Sequence, residues 1–156
     1  MITLATLCYI VSNSRLLLLE RTRPPGEKYW NAPGGKLEPG ELPEQCVRRE
    51  VKEETGLELM LAKKRGEMLF HDANSGKQED WLVHVFSAMD GDFSGALAHG
   101  EEHKNSRWFP LDSIPWDGMW PSDRDFVPIV IGTDKSFKLE TRYEDGKLKS
   151  SQVKVL

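Results

Sequence analysis

Seven positions between Gly35 and Gly56 constrain this chain more than the rest of it. Gly35 is followed after five residues by Glu41, and after seven more comes Arg49-Glu50-Val51-Lys52-Glu53-Glu54-Thr55-Gly56-Leu57. At ordinary residue frequencies, such a coincidence in one chain is on the order of one in a million. Pro43 suits a first helical turn and Gly56 a helix end, so the spacing predicts a helix from Pro43 to Thr55. A helix advances about 100° per residue, which puts Glu50 and Glu54 about 40° apart and encloses Glu53 in an arc of about 100°. On the same wheel Val47 and Val51 border Glu54, whereas Arg49 and Lys52 fall on the far side, where a solvent-facing surface belongs. The carboxylates therefore sit at the margin of the buried stripe.

Carboxylates gathered on one patch repel, which raises at least one pKa unless a cation is present. A hard divalent ion that prefers oxygen ligands relieves the repulsion, and Mg2+ suits the donor set, with Mn2+ as a substitute. A run of charges is ordinarily a solvated helix face; Gly35, Glu41 and Gly56 in register with Glu50, Glu53 and Glu54 argue for a site instead. Arg49 and Glu53, four residues apart, are placed for an ion pair that orients the carboxylate. The Gly34-Gly35 pair lets backbone approach a ligand that a Cβ would exclude.

A chain of 156 residues is long enough for one domain, expected to span residues 1–156, with a core that needs no disulfide. Cys8 and Cys46 are distant and form no CxxC pair, so they read as reduced core thiols. The N-terminus lacks the pattern of a signal peptide and no apolar run reaches membrane-spanning length, so a cytoplasmic protein without a membrane partner is expected. A net charge of −4 argues against a nucleic-acid polymer as ligand. A small polyphosphate arriving with magnesium is compatible with an acidic protein.

Ile2 to Val11 and Arg15 to Thr22 read as strands about a Ser12-Asn13-Ser14 turn. A further strand is expected within Leu57 to Phe70, a polar loop from Asp72 to Asp80, and strands at Trp81 to Met89 and Arg107 to Leu111. Leu111 to Pro115 reads as a turn or short helical piece. Asp123 to Ile131 reads as a helix capped near Ser122 and disturbed by Pro128. Lys135 to Tyr143 and Lys147 to Val155 flank Asp145-Gly146, a strong hairpin signal. The sum is a mixed sheet with helices packed on it, an α/β fold.

The Gly35 to Leu57 motif resembles the Nudix box, the metal-binding loop and helix of hydrolases that cleave nucleoside diphosphates linked to another group. The resemblance implies a Nudix-type α/β/α sandwich. It also implies metal ligation by the Gly35 carbonyl, Glu50, Glu53 and Glu54, and a catalytic set of Glu53, Glu50 and Arg49 in which the general base is left open. Tyr29-Trp30-Asn31-Ala32-Pro33-Gly34-Gly35-Lys36 and Gly118-Met119-Trp120-Pro121-Ser122-Asp123 are similar to segments of the oxidised purine nucleoside triphosphatase (MutT-like) branch. That likeness implies that Asn31, Trp120 and Asp123 contact the base. An indole face stacks a purine for about 1 to 3 kcal/mol, a carboxylate accepts from guanine N1–H and N2–H, and Asn31 both donates and accepts. The alternatives are a core or rim aromatic at Trp120 and a turn residue at Asn31.

The branch carries two adjacent acids after its Trp-Pro, whereas this chain has Ser122 and then Asp123, which puts broad acceptance of oxidised purines in doubt. Glu102, in Glu101-Glu102-His103, is a candidate further metal ligand on the family pattern, or else part of an exposed acidic loop; His103 reads as a bystander. Arg21 and Arg23 approach the site and either contact phosphates or form a surface pair. The expected activity is metal-dependent hydrolysis of purine (deoxy)nucleoside triphosphates, dGTP or 8-oxo-dGTP, to the monophosphate and pyrophosphate. Rival readings are hydrolysis of another nucleoside diphosphate derivative, such as ADP-ribose, a nucleotide sugar or capped RNA, and a non-catalytic nucleotide-binding regulator. Monomer and homodimer are both left open.

Overall fold

The apolar alternation at the N-terminus makes the strand around which the other elements are arranged. A computed structural model describes residues 1–22, 27–97 and 105–156. Strand β1 (Ile2–Ser12) sends Leu7, Tyr9 and Val11 to one face and Cys8 and Ile10 to the other, as a strand buried on both sides must. It turns at Asn13 and Ser14, both at positive φ, into β2 (Arg15–Glu20). The later elements are β3 (Trp30–Asn31), β4 (Gly34–Lys36), α1 (Pro43–Thr55), β5 (Glu58–Leu59), β6 (Lys63–Asn74), β7 (Lys77–Ala88) and β8 (Phe93–Ser94). They are followed by β9 (Ser106–Pro110), a 3-10 turn at Trp116–Gly118, α2 (Asp123–Gly132), β10 (Phe137–Glu144) and β11 (Lys147–Val155).

One mixed sheet runs in the order β11-β10-β6-β7-β1-β2-β3, with β4 paired to β1 and β9 to β2. The β1–β7 and β6–β10 pairs are parallel and the rest antiparallel. Helix α1 lays Val47 and Val51 over Cys8, Ile10, Leu17 and Phe86 on one face. On the other, Phe126, Val127 and Val130 of α2 pack with Tyr9, Val85 and Phe137. Each such side chain contributes about 1.5–3 kcal/mol when buried, so a sheet apolar on both faces requires a layer on each. The result is the expected α/β/α sandwich.

Helix α1 occupies the predicted span. Pro43 opens it, Gln45 Oε1 accepts the Leu42 N–H at 2.9 Å, and the chain leaves through Gly56 at φ 79°, a conformation that favours glycine. Helix α2 continues through Pro128 to Gly132. Its C-terminal carbonyls are met by Arg65, whose guanidinium donates to Val130 at 2.6 Å, Ile129 at 3.2 Å and Lys135 at 2.9 Å, and also to Thr133. Cys8 and Cys46 are free and buried, as expected. No helix among the described residues is long and apolar enough to cross a membrane.

One expectation about the strands is overturned. Residues 72–80 do not form a polar loop: β6 and β7 pair continuously out to Asn74 and Lys77. Ser75 and Gly76, at φ 51° and 81°, close a two-residue turn whose handedness matches strand twist. Asp72 is still buried, but residues 74–79 at this end of the hairpin are exposed and polar apart from Gly76. The Leu57 to Phe70 region likewise holds two strands, the short β5 and then β6.

Candidate active site

The motif folds so that a loop, a strand edge and a helix meet. Gly35 lies on β4 opposite Thr6 of β1. Glu50 of α1 packs so closely against it that a Cβ at position 35 would stand 2.5 Å from the Glu50 carboxyl carbon. Glycine is thus what lets an α1 carboxylate rest on the β4 backbone.

Arg49 organises the acids around it. Its Nε and Nη2 grip both oxygens of Glu41, at 2.7 and 2.9 Å, while Nη1 donates to Glu50 at 2.7 Å and to Glu53 at 3.2 Å. The bidentate pair holds Glu41 ionised, with its pKa lowered to about 2. The sequence reading put Arg49 on the solvent side. In the structure its long side chain folds back over the helix edge, because five acceptor groups, the Lys36 carbonyl and Cys46 Sγ among them, lie within its reach. The predicted Arg49–Glu53 pair is present. The structure also gives Glu41, to which the sequence assigned no partner, the task of anchoring Arg49.

Glu54 is the most buried of the clustered acids and accepts the Gly34 N–H at 2.8 Å. Burial pushes its pKa up to about 8, with the neighbouring Glu50 adding to the rise and Arg21 opposing it. Burial also raises Glu50, against the pull of Arg49. Mutual repulsion, the cause expected from the sequence, is smaller than desolvation at both residues. Glu50 and Glu54 lie close enough for each to shift the pKa of the other. Glu53 is drawn towards Arg49, and among the described residues no three carboxylate, imidazole or thiol groups close around one point. The hard-oxygen side chains at this end are Glu50 and Glu54, while the Gly35 carbonyl accepts from Thr6 Oγ1 and Cys46 Sγ, both at 3.5 Å.

A cleft of about 960 Å³ runs from Gly35, Glu53 and Glu54 to Asn31, Trp120 and Asp123. Four candidate residues from distant parts of the sequence therefore share one cavity with the motif, since Arg21 lines it as well. Asn31 uses its Oδ1 to accept the Ala32 N–H, which leaves its amide N–H groups for a ligand. Trp120 is 9% exposed and wedged among Tyr29, Phe70 and Tyr143 at ring distances of 5.0, 4.9 and 4.9 Å; it is core and cleft wall at once. Asp123 is buried, its Oδ2 has no hydrogen-bond partner among the described residues, and desolvation lifts its pKa to about 8. The Arg21 Nε is likewise buried and has no hydrogen-bond partner among the described residues.

Phe70 and Trp81 also line the cleft, and Lys36 Nζ sits 5.2 Å from the Trp81 ring centre. Sequence reasoning missed them because their positions depend on strand pairing; only the inward alternation of β6 and β7 hints at it. Glu102, His103 and Arg23 lie outside the described residues.

A mixed sheet between two helices, with a glycine-to-glycine loop and helix delivering paired acids to such a cleft, defines a Nudix-type hydrolase. The NUDIX domain profile matches residues 1–129. The chain is 36% identical over 128 residues to the oxidized purine nucleoside triphosphate hydrolase of Danio rerio, covering 82% of this chain and 79% of that protein. It is 34% identical over 132 residues to the enzyme of the same name from Mus musculus, covering 85% and 81%. The crystal structure of a mutator MutT protein from Bacillus halodurans superposes with a TM-score of 0.84 at 26% identity over 97% of both chains. The chain belongs to the Nudix hydrolase family and is a Nudix pyrophosphohydrolase.

Proposed function

We propose that the protein hydrolyses purine (deoxy)nucleoside triphosphates, dGTP or 8-oxo-dGTP, to the monophosphate and pyrophosphate in a Mg2+-dependent reaction. The observation that carries this reading is the single cleft that joins the motif acids to Trp120 and to the unpartnered Asp123 Oδ2. An aromatic wall with a buried acceptor suits a purine carrying N–H donors on its edge. Donors at Asp123 Oδ2 would favour its ionised form, offsetting the burial that raises its pKa. The names of the two vertebrate relatives support the same substrate class.

The donor set fits a divalent cation. Glu50 and Glu54 are neighbouring hard-oxygen donors whose pKa values are both raised, and the Gly35 carbonyl lies on the strand residue that Glu50 packs against. A divalent cation would take the place of the proton that the raised values favour. Mg2+, or Mn2+ in its place, supplies charge neutralisation for the phosphates and an acidified water. Phosphoryl transfer depends on positioning and electrostatics more than on covalent catalysis. Glu53, the exposed acid of the three, is suited to accept a proton from the attacking water. Arg49 holds the carboxylates of Glu50 and Glu53 in place, and Arg21 offers a cation to the phosphates. Asn31 contributes amide donors to the base edge.

Incubation with Mg2+ and either dGTP or 8-oxo-dGTP is expected to release pyrophosphate and the monophosphate. Orthophosphate alone would contradict the assigned bond. Turnover of ADP-ribose or a nucleotide sugar with neither purine triphosphate consumed would replace the substrate.

A further inference from the structure

Tyr143 belongs to the C-terminal hairpin, beyond the residues 1–129 that the family profile matches. Its phenol nonetheless reaches the segment that ends the cleft. Its oxygen accepts the Ser122 N–H at 2.9 Å and its O–H donates to Ser122 Oγ at 2.8 Å, both buried. Its ring stacks on Phe70 at 5.0 Å and meets Trp120 edge-on at 4.9 Å. Phe70, Trp120 and Asp123 line the cleft, whereas Tyr143 stands behind them.

We propose that Tyr143 is a positioning residue for purine binding: its hydroxyl clamps Ser122, and so fixes Trp120 and Asp123 on either side of it. The inference rests on the base-binding reading of this end of the cleft. Trp120 and Asp123 flank the clamped residue, and the Asp123 N–H donates to the Trp120 carbonyl at 2.9 Å, closing the turn over Ser122. Ser122 stands at the N-cap position of α2, where a serine hydroxyl ordinarily accepts a helix N–H; here it makes no side-chain capping bond and accepts from Tyr143 instead. Burial raises the Tyr143 pKa to about 12, so its hydroxyl remains a donor at neutral pH. The clamp also accounts for the departure noted in the sequence. Where the related branch has the first of two acids, this chain has a serine whose hydroxyl and N–H are both taken up by Tyr143, so Asp123 is the segment's one acidic group facing the cleft.

Tyr143→Phe keeps the ring and deletes both clamp bonds; Ser122→Ala deletes only the bond to Oγ. With Mg2+ and guanine triphosphates, Tyr143→Phe is expected to raise KM about tenfold with kcat within twofold of the parent, and Ser122→Ala to raise KM about threefold. A residue that merely supports the fold would lower the unfolding midpoint and the active fraction, and so kcat, without moving KM. Unchanged KM in Tyr143→Phe, or in Ser122→Ala where Tyr143→Phe does not fold, would overturn the positioning role while parental turnover of dGTP or 8-oxo-dGTP still upheld the substrate reading. Failure of the parent protein to turn over either nucleotide would overturn both.

Discussion

Replacing Glu53 and Glu54 together by glutamine is expected to leave a folded protein whose turnover falls by roughly three orders of magnitude. Folding survives because Glu54, with its pKa near 8, already carries a proton at neutral pH when no cation is bound. A glutamine of the same shape can still accept the Gly34 N–H. Activity does not survive, because an amide neither neutralises a cation nor takes a proton from water. Circular dichroism with a pyrophosphate-release assay separates the two effects; full turnover in the double variant would place the active site elsewhere. A pH effect accompanies it. The folded-state pKa of Glu54 is raised, so the native protein binds its proton more tightly than the unfolded chain. Stability without metal therefore falls as pH rises from the ordinary carboxyl value of 4.5 towards about 8. Glu54→Gln alone should reduce but not abolish the dependence of the unfolding midpoint on pH across that window, because buried Asp123, whose pKa is also lifted to about 8, contributes a fall of the same sign. Mg2+ should restore the parent at its upper end, since a ligand bound only by the native state stabilises it. A parent midpoint that rises over the window would refute the shift.

The motif was legible because its information is local. Helix periodicity determines where Glu50 and Glu54 point, and Pro43 and Gly56 mark where the helix begins and ends, so the predicted and observed spans coincide. Hairpins with two-residue turns were legible at Asp145-Gly146, where glycine follows aspartate, and missed at Ser75-Gly76, where the flanking polar residues imitate a loop. The conformation of Arg49 was not legible. A helical wheel assigns a direction to Cβ, whereas a guanidinium several bonds away goes where acceptors are, and Glu41 and the Lys36 carbonyl arrive from a different part of the chain. The base end of the cleft was legible only in part. Asn31, Trp120 and Asp123 were reached through resemblance, while Phe70 and Trp81 enter through sheet register and Tyr143 through a hairpin that no local pattern connects to Ser122. Long-range pairing thus places the groups that shape the cavity, and local periodicity places those proposed to do the chemistry.

Arg65→Met is expected to destabilise the fold by about 3 to 5 kcal/mol and to lower the unfolding midpoint by roughly 10 °C, the largest stability loss anticipated from one substitution outside the cleft. Arg65 is 2% exposed, and no carboxylate among the described residues lies within ion-pair distance of it. Burial pulls its pKa down, opposed in part by Asp134. Such a charge is retained because it is solvated by backbone: the last turn of α2 and the strand entry beyond it present the Ile129, Val130, Thr133 and Lys135 carbonyls, all of which accept from its two terminal nitrogens. Helix C-terminal carbonyls carry partial negative charge, so the guanidinium fills the role of both counterion and cap. Ile129 retains the Thr133 N–H and hydroxyl as donors after the change, whereas the carbonyl of fully buried Val130 loses its charged partner. Lysine at this position keeps the charge but has no planar fork to span four acceptors, so Arg65→Lys should recover less than half of the loss. Because Arg65 grips the far end of α2 from Asp123, KM for the purine triphosphate should stay within twofold of the parent at temperatures where the variant is folded. Urea unfolding measures the stability change. A loss below about 1 kcal/mol in Arg65→Met would show that water replaces the guanidinium at these carbonyls and that α2 is held by its apolar face alone.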